Sequence, residues 1–167
     1  MKKVLSIVSF VFVLYACDKK VYFDIPQNEK PVLTNNDTVY FFCNKYNRVD
    51  TFMVGVDDSY VVSDKRYYHE NIFMKYYSIN KSSSPIKFSI NRMESTNISV
   101  DGHYYPTIWG NEATIDLTMG GINYTSVYRV YDYDFPDTIP RLIYYSHTQG
   151  ILKYAYSDTV YFERRNK

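Results

Sequence analysis

Hydrophobic and polar residues along this chain switch at short range, with the period of two that belongs to strands. The clearest case is 86–93, where Ile86, Phe88 and Ile90 fall on one side and Lys87, Ser89 and Asn91 on the other. Runs of strand length are divided by turn residues almost throughout. Thr38–Cys43 and 49–56 flank Asn44-Lys45-Tyr46-Asn47 and read as a hairpin. Residues 98–100 and 103–108 flank Asp101-Gly102, a pair suited to a type I′ turn, whose two central positions need positive φ. Residues 114–118 and Ile122–Tyr131 flank Gly120-Gly121, a second tight hairpin. Segments 141–146, 151–156 and 159–164 close the chain as a meander. Only 64–77 is ambiguous, because Ile72, Phe73, Tyr76 and Tyr77 also fit helical spacing, yet the β-rich composition argues for another strand. The pattern predicts a single antiparallel all-β domain, a β-sandwich or curved half-barrel built of meander hairpins, with at most one short helix.

One stretch breaks the alternation. Val4 to Leu14 is apolar or uncharged without interruption, follows Lys2 and Lys3, and runs into Leu14-Tyr15-Ala16-Cys17. A basic start, an apolar run and a small residue before the cut make a secretory signal over residues 1–16. Its eleven residues are about half of the ~20 needed to span a bilayer, which argues against a permanent helical anchor. The cysteine at the cut resembles the lipobox of bacterial lipoproteins, whose Cys is acylated on its thiol and becomes the mature N-terminus. That resemblance makes Cys17 the expected lipid attachment site and the membrane the expected partner. Tyr15 departs from the small residue usual at its place.

Without residues 1–16, 17 basic side chains face 18 acidic ones, a net charge of −1. Such a balance offers no electrostatic footprint for nucleic acid. Basic residues do alternate with aromatic ones in Lys65-Arg66-Tyr67-Tyr68 and Lys75-Tyr76-Tyr77, and these read as solvated or snorkelling strand faces. Twenty Tyr and ten Phe favour pleated surfaces over helices, and either fill a β core or line a concave binding face. Residues 17–36, with Pro26 and Pro31 and little periodicity, read as a tether from the lipid to a domain over 37–167. Ser82-Ser83-Ser84-Pro85 is the clearest internal loop.

Candidate chemistry is sparse. Cys43 lies in the apolar run Val39-Tyr40-Phe41-Phe42-Cys43 and reads as a small buried hydrophobe with no disulfide partner once Cys17 carries lipid. Asp132, Asp134 and Asp137 are the densest acidic group, but they lack the Gly and closing Glu of an EF-hand loop and read as a solvated strand end. His69, His103 and His147 have no zinc spacing, and Ser59, Ser78 and Ser146 no nucleophile-elbow context. The Gly residues fall mostly in turns, with no phosphate-binding loop or dinucleotide fingerprint. No cofactor and no metal is expected from these residues. Trp109, the only Trp, sits at a strand end.

The mature start Cys17-Asp18-Lys19-Lys20, the Tyr-rich composition and the tail Ile143-Tyr144-Tyr145-Ser146-His147-Thr148-Gln149-Gly150-Ile151-Leu152-Lys153-Tyr154 resemble small lipoproteins of Bacteroidetes. The resemblance covers the signal and about the last 25 residues. It implies attachment to the outer membrane and brings no catalytic residues. The closing hairpin is loosely similar to half-barrel lipoprotein carriers of the Gram-negative envelope. Surface-exported lipoproteins of that phylum resemble one another in an acidic cluster after the lipidated Cys; Lys19 and Lys20 stand there instead, implying a periplasm-facing position. The phylum's O-glycosylation motif, Asp-(Ser/Thr)-aliphatic, resembles Asp37-Thr38-Val39, Asp137-Thr138-Ile139 and Asp158-Thr159-Val160. This makes Thr38, Thr138 and Thr159 candidate glycosylation sites, although Asp before β-branched residues is also how a strand begins. The expected function is a non-enzymatic envelope lipoprotein that binds another envelope protein, a glycan or an apolar ligand. The alternative is an envelope hydrolase assembled in space around His103 or His147 with nearby Asp or Ser.

Overall fold

A computed structural model describes residues 20–79, 87–93, 95–109, 112–132, 134 and 136–165. The elements are β1 (Val21–Phe23), a 3-10 turn (Gln27–Glu29), β2 (Thr38–Cys43), β3 (Arg48–Asp64), β4 (Tyr67–Ser78), β5 (Lys87–Arg92), β6 (Ser95–Val100), β7 (His103–Tyr104), β8 (Ile108–Trp109), β9 (Ile115–Met119), β10 (Ile122–Tyr131), β11 (Leu142–Ser146), β12 (Gly150–Ser157) and β13 (Val160–Arg165). The fold is all-β, as the alternation predicts. The strands form one sheet in the order β7-β6-β5-β4-β3-β2-β13-β12-β11-β10-β9, with β1 added to β4 and β8 to β6. Every pairing is antiparallel except β1 with β4, which is parallel.

The sheet is curled on itself. Five strand steps separate β5 from β12, about 24 Å in a flat sheet. Yet the rings of Phe88 on β5 and Tyr154 on β12 lie 5.1 Å apart. Seven steps separate β6 from β11, and Thr96 Oγ1 still lies 3.3 Å from His147 Nε2 just beyond β11. Among the described residues no hydrogen-bonded seam joins the two ends, so the result is an open, strongly curved sheet rather than two stacked ones. Its concave face carries the core: Val39 and Phe41 of β2, Phe52 and Val54 of β3, Ile72, Met74 and Tyr76 of β4, Phe88 and Ile90 of β5, Tyr154 of β12 and Phe162 of β13. Cys43 is fully buried there as a free thiol.

Local chemistry accounts for the hairpins. Asp101 (φ 49°) and Gly102 (φ 88°) turn β6 into β7, and Gly120 (φ 56°) and Gly121 (φ 81°) turn β9 into β10. Gly150 is required for two reasons. Its φ is 72°, and a Cβ built there would stand 2.0 Å from Tyr76 Oη. That hydroxyl accepts the Ile151 N–H at 3.2 Å and fastens β4 to β12 across the core.

Residues 64–77 form the strand that the β-rich composition favours: β4 covers most of them, and the helix-like spacing arises from Ile72 and Tyr76 facing inward while Phe73 and Tyr77 face the other side. Other expectations are corrected. The strand expected over 49–56 runs on to Asp64 through a stretch that mixes polar residues with Tyr60, Val61 and Val62 and is exposed at every residue from Asp57. The run 103–108 is divided into β7 and β8, both paired with β6, because Pro106 lacks the N–H a continuous ladder needs. From Lys20 onward the tether expected over 17–36 is part of the domain. It adds β1 to the sheet, buries Ile25 and Leu33, and ties Val32 N–H to Thr148 O at 2.8 Å. Pro26 and Pro31 interrupt regular structure there without preventing burial of the apolar residues between and beyond them. The signal over 1–16, Cys17 and the loop Ser82-Ser83-Ser84-Pro85 lie outside the described residues.

Candidate functional site

The curl brings two charged residues of the concave face beneath the N-terminal strap. Arg92 follows Phe88 and Ile90 in the inward phase of β5, and Glu70 precedes Ile72 and Met74 in the inward phase of β4. Arg92 is 4% exposed and Glu70 3%. Charges this deep need partners, and the strap supplies them. Arg92 donates from its two terminal nitrogens to the Glu29 carbonyl and to Glu29 Oε2. Glu70 accepts the Ile25 N–H at 2.7 Å and an ion pair from Lys30, whose Nζ also lies 3.6 Å from Asp58. Burial opposes the Glu70 charge, but Lys30 and the Ile25 amide hold its carboxyl below the usual range. Burial together with the neighbouring Glu70 pushes Asp58 up. The hydrogen bond to Glu70 raises Lys30 against the opposing effect of burial.

His147 continues this cluster. Its ring packs against Tyr128 (centroids 4.7 Å) and Tyr145 (5.6 Å). Nδ1 lies 4.0 Å from Glu29 Oε2, and Nε2 is 3.3 Å from Thr96 Oγ1. Burial, helped by the Arg92 charge, lowers its pKa from 6.5 to about 4, so the imidazole is neutral at physiological pH.

Three adjoining cavities open along this rim. The first, about 230 Å³, lies between the strap and the ends of β4, β5 and β6, with Glu29, Arg92, Thr96 and His147 in its walls. A second of about 500 Å³ shares Glu29 and His147 with it and adds Thr125, Ser126 and Tyr128. A third of about 340 Å³ shares Thr125, Ser146 and Thr148 with the second and adds Asn123, Tyr124 and Gln149. Ser126 sits at the β-bulge of β10 between Tyr124 and Val127, with φ 54°. A non-glycine residue held in the left-handed region at a bulge is a feature that gathers at functional sites. Hydroxyls, amides and two tyrosines thus line the wall that the bulge re-aims.

The carboxylate, imidazole and hydroxyl of Glu29, His147 and Thr96 come in the order of a catalytic triad, but the geometry does not complete one. The Glu29 to His147 separation exceeds a hydrogen bond, and Glu29 is held by Arg92. Thr96 is 1% exposed. A base near pKa 4 is poorly matched to proton abstraction at neutral pH.

The residues singled out from sequence are scattered. Thr38, Thr138 and Thr159 are all exposed. Thr38 opens β2, whereas Thr138 lies in a turn and Thr159 in the β12–β13 turn, so only the first stands at a strand start. Asp132 Oδ1 accepts the Asp134 N–H at 2.9 Å, and Asp137 pairs with Arg141 at 2.5 Å. Among the described residues no His, Cys, Asp or Glu side chains form a group of three able to hold a metal ion. His103 and Ser59 are exposed on β7 and β3, away from the groove. Ser146 is buried, with Oγ 3.2 Å from Thr148 Oγ1, and Trp109 is exposed. Sequence reasoning missed Arg92, Glu70, Glu29 and Tyr128. A signal for the first two was present: a charge standing in the buried phase of an alternating strand.

No described helix is long and apolar enough to cross a membrane. No family model matches the chain, and neither a curated protein nor a solved structure matches it.

Proposed function

We propose that this chain is a lipid-anchored, non-enzymatic binding module of the cell envelope, acylated on Cys17, held at the outer membrane and facing the periplasm. Its groove takes a hydroxyl-rich ligand of the glycan class. The observation that carries this reading is the bulged wall of β10, where Ser126 has φ 54° and half-buried Tyr124 borders the 340 Å³ cavity beside Asn123, Thr125 and Gln149. A tyrosine flanked by amides and hydroxyls is suited to a sugar ring, whose C–H face packs on an aromatic while its hydroxyls need donors and acceptors. Calorimetric titration of the purified protein with envelope oligosaccharides tests it. Binding should weaken about tenfold, or about 1.4 kcal/mol, in Tyr124→Ala. Absence of heat with every oligosaccharide would overturn the glycan assignment. Mass analysis of the N-terminal peptide from the native membrane tests acylation of Cys17.

A hydrolase built on Glu29, His147 and Thr96 is the second reading, supported by the 3.3 Å contact of His147 with Thr96. Steady product release abolished by Thr96→Val would establish it over simple binding. Thr38, Thr138 and Thr159 are proposed O-glycan carriers, since each is exposed and can accommodate a bulky group. Unmodified Thr at all three positions in native glycopeptides would leave their Asp-Thr pairs as turn chemistry alone.

A further inference from the structure

Seven of the sixteen large apolar side chains exposed among the described residues fall on one structure. It is the distal half of the β3–β4 ribbon, from Asp57 to Glu70, with β1 laid along it. Val21, Tyr22, Phe23, Tyr60, Val62 and Tyr67 are between 38% and 56% exposed, with Tyr22, Tyr60 and Val62 on one face of the arm and Val21, Phe23 and Tyr67 on the other, so that apolar surface wraps the arm, a concentration that soluble surfaces avoid unless it serves contact. The patch is ordered by its own contacts: Tyr22 stacks on Tyr68 at 5.0 Å and meets Tyr60 edge-on at 5.3 Å, and Tyr60 Oη donates to Asp24 Oδ1 at 2.6 Å.

The direction of β1 decides what this patch faces. Because β1 runs parallel to β4, Val21 stands opposite Tyr67, and its N–H donates to Arg66 O at 2.7 Å, beside the turn at the ribbon's tip. Lys20 Nζ lies over the Tyr68 ring at 5.2 Å. The chain therefore enters the domain at the tip of the arm. Three residues lead from Cys17 to Lys20, a reach of at most about 11 Å. From Val21 and Tyr67 to Tyr60 is only about 10 Å more along the strands. A lipid on Cys17 therefore keeps the tip within about 11 Å of the bilayer, and the aromatic side chains decide whether it enters the headgroup layer. The charges agree with that placement. Lys20, Lys65 and Arg66 are exposed at the tip, where Asp64 is the one carboxylate among the described residues, while Asp24, Asp57, Asp58 and Glu70 lie towards the base.

Resting on the reading that Cys17 is acylated, we propose that the tip of the β3–β4 arm lies in the headgroup layer of the anchoring membrane, with Tyr22, Phe23, Val62 and Tyr67 at the level of the interface. Tyrosines belong at that depth because one end of the ring is apolar and the other wet, and lysines reach past them to lipid phosphates. The arm fixes the domain's orientation by two contacts, lipid and protein, and points the β2–β3 turn away from the bilayer.

The test uses the full lipidated protein in vesicles of phosphatidylethanolamine and phosphatidylglycerol. An environment-sensitive fluorophore is placed on Val62→Cys or, at the opposite end of β3, on Tyr46→Cys. Cys43 is fully buried and does not compete for the label. A several-fold brighter emission at position 62, quenched by lipid-borne quenchers, with no change at position 46, supports the placement. A water-like signal at 62, or equal quenching at both positions, overturns it while leaving the lipoprotein reading intact. Mass analysis of the same sample separates the two failures: an unmodified Cys17 removes both the lipoprotein reading and the membrane placement. The triple variant Tyr22→Ser/Phe23→Ser/Tyr67→Ser, anchored by the same lipid, should lose the quenching at position 62. Quenching that persists unchanged would show that the aromatics do not hold the tip there.

Discussion

The two halves of the β3–β4 ribbon share a backbone and differ in everything else. Their pairing runs from Phe52 opposite Ser78 to Asp64 opposite Tyr67 with a single irregularity near the tip. In the proximal half β2 and β5 flank the ribbon, and Phe52, Val54, Ile72, Met74 and Tyr76 are 0–2% exposed. In the distal half the only further strand is the short β1, and residues 57–67 are exposed on both faces. The residue types differ as well: Phe52-Met53-Val54 and Ile72-Phe73-Met74 make the proximal half nearly continuously apolar, whereas Asp57-Asp58-Ser59 and Ser63-Asp64-Lys65-Arg66 surround Tyr60-Val61-Val62 in the distal half. Both halves are fully paired, so pairing alone does not bury a side chain; the apolar run and the curl of the sheet together do. Full burial of a large apolar side chain is worth about 1.5–3 kcal/mol, and the proximal half collects it several times over. The distal half is held by its ladder, by ring contacts and by the Tyr60 hydrogen bond to Asp24. Such a segment opens more readily than the core.

The comparison breaks hardest where the opposite walls touch. Gly150→Ala would combine a forbidden φ with a methyl driven into Tyr76, and we expect a loss of about 4 kcal/mol in urea unfolding. A loss below about 1 kcal/mol would mean that the walls at this point are not packed.

The next largest effect is expected from His147. Its folded pKa, about 4, lies below the unfolded value of 6.5, so between these the unfolded chain binds more protons. Stability from this group is complete above pH 6.5 and is lost as pH falls towards 4, by on the order of 3 kcal/mol. Unfolding measured across that window should flatten in His147→Gln. An unchanged slope would show that the ring is solvated.

Cys43→Ser places a hydroxyl where a thiol is fully buried and should cost about 1–3 kcal/mol. Rapid labelling of the native thiol would contradict the burial.

The smallest effect belongs to the arm. The Asp24 carboxylate that accepts its hydroxyl pushes the Tyr60 phenol up to about 12. Asp24→Asn should return the titration of Tyr60 towards the ordinary range for tyrosine and speed amide exchange at residues 22–24. The global unfolding midpoint should stay unchanged. A large shift of that midpoint would mean that the arm folds as one unit with the core, erasing the distinction between the halves.

The groove beneath the strap was not visible in the sequence for a physical reason. Glu29, Arg92, Thr96, Tyr128 and His147 are spread over more than a hundred positions, and they meet because the sheet curls through seven strand steps. No local period encodes that meeting. The isolated charges at Arg92 and Glu70 were legible as oddities, each in the inward phase of its strand, but their partners on the strap were not. Pro26 and Pro31 make the strap look like a linker, and its anchoring residues Ile25, Lys30 and Leu33 have no periodicity to betray them.

What the sequence determined alone was local: the strand period, the turns at Asp101-Gly102 and Gly120-Gly121, the closing meander and the burial of Cys43. These follow from φ preferences and from alternation, which act over a few residues. Tertiary structure decided the rest. It determined the curl of the sheet, the parallel addition of β1, the continuation of β3 into an exposed arm and the gathering of charges under the strap. Each depends on which distant surface a strand meets, and one chain read in order does not carry that information.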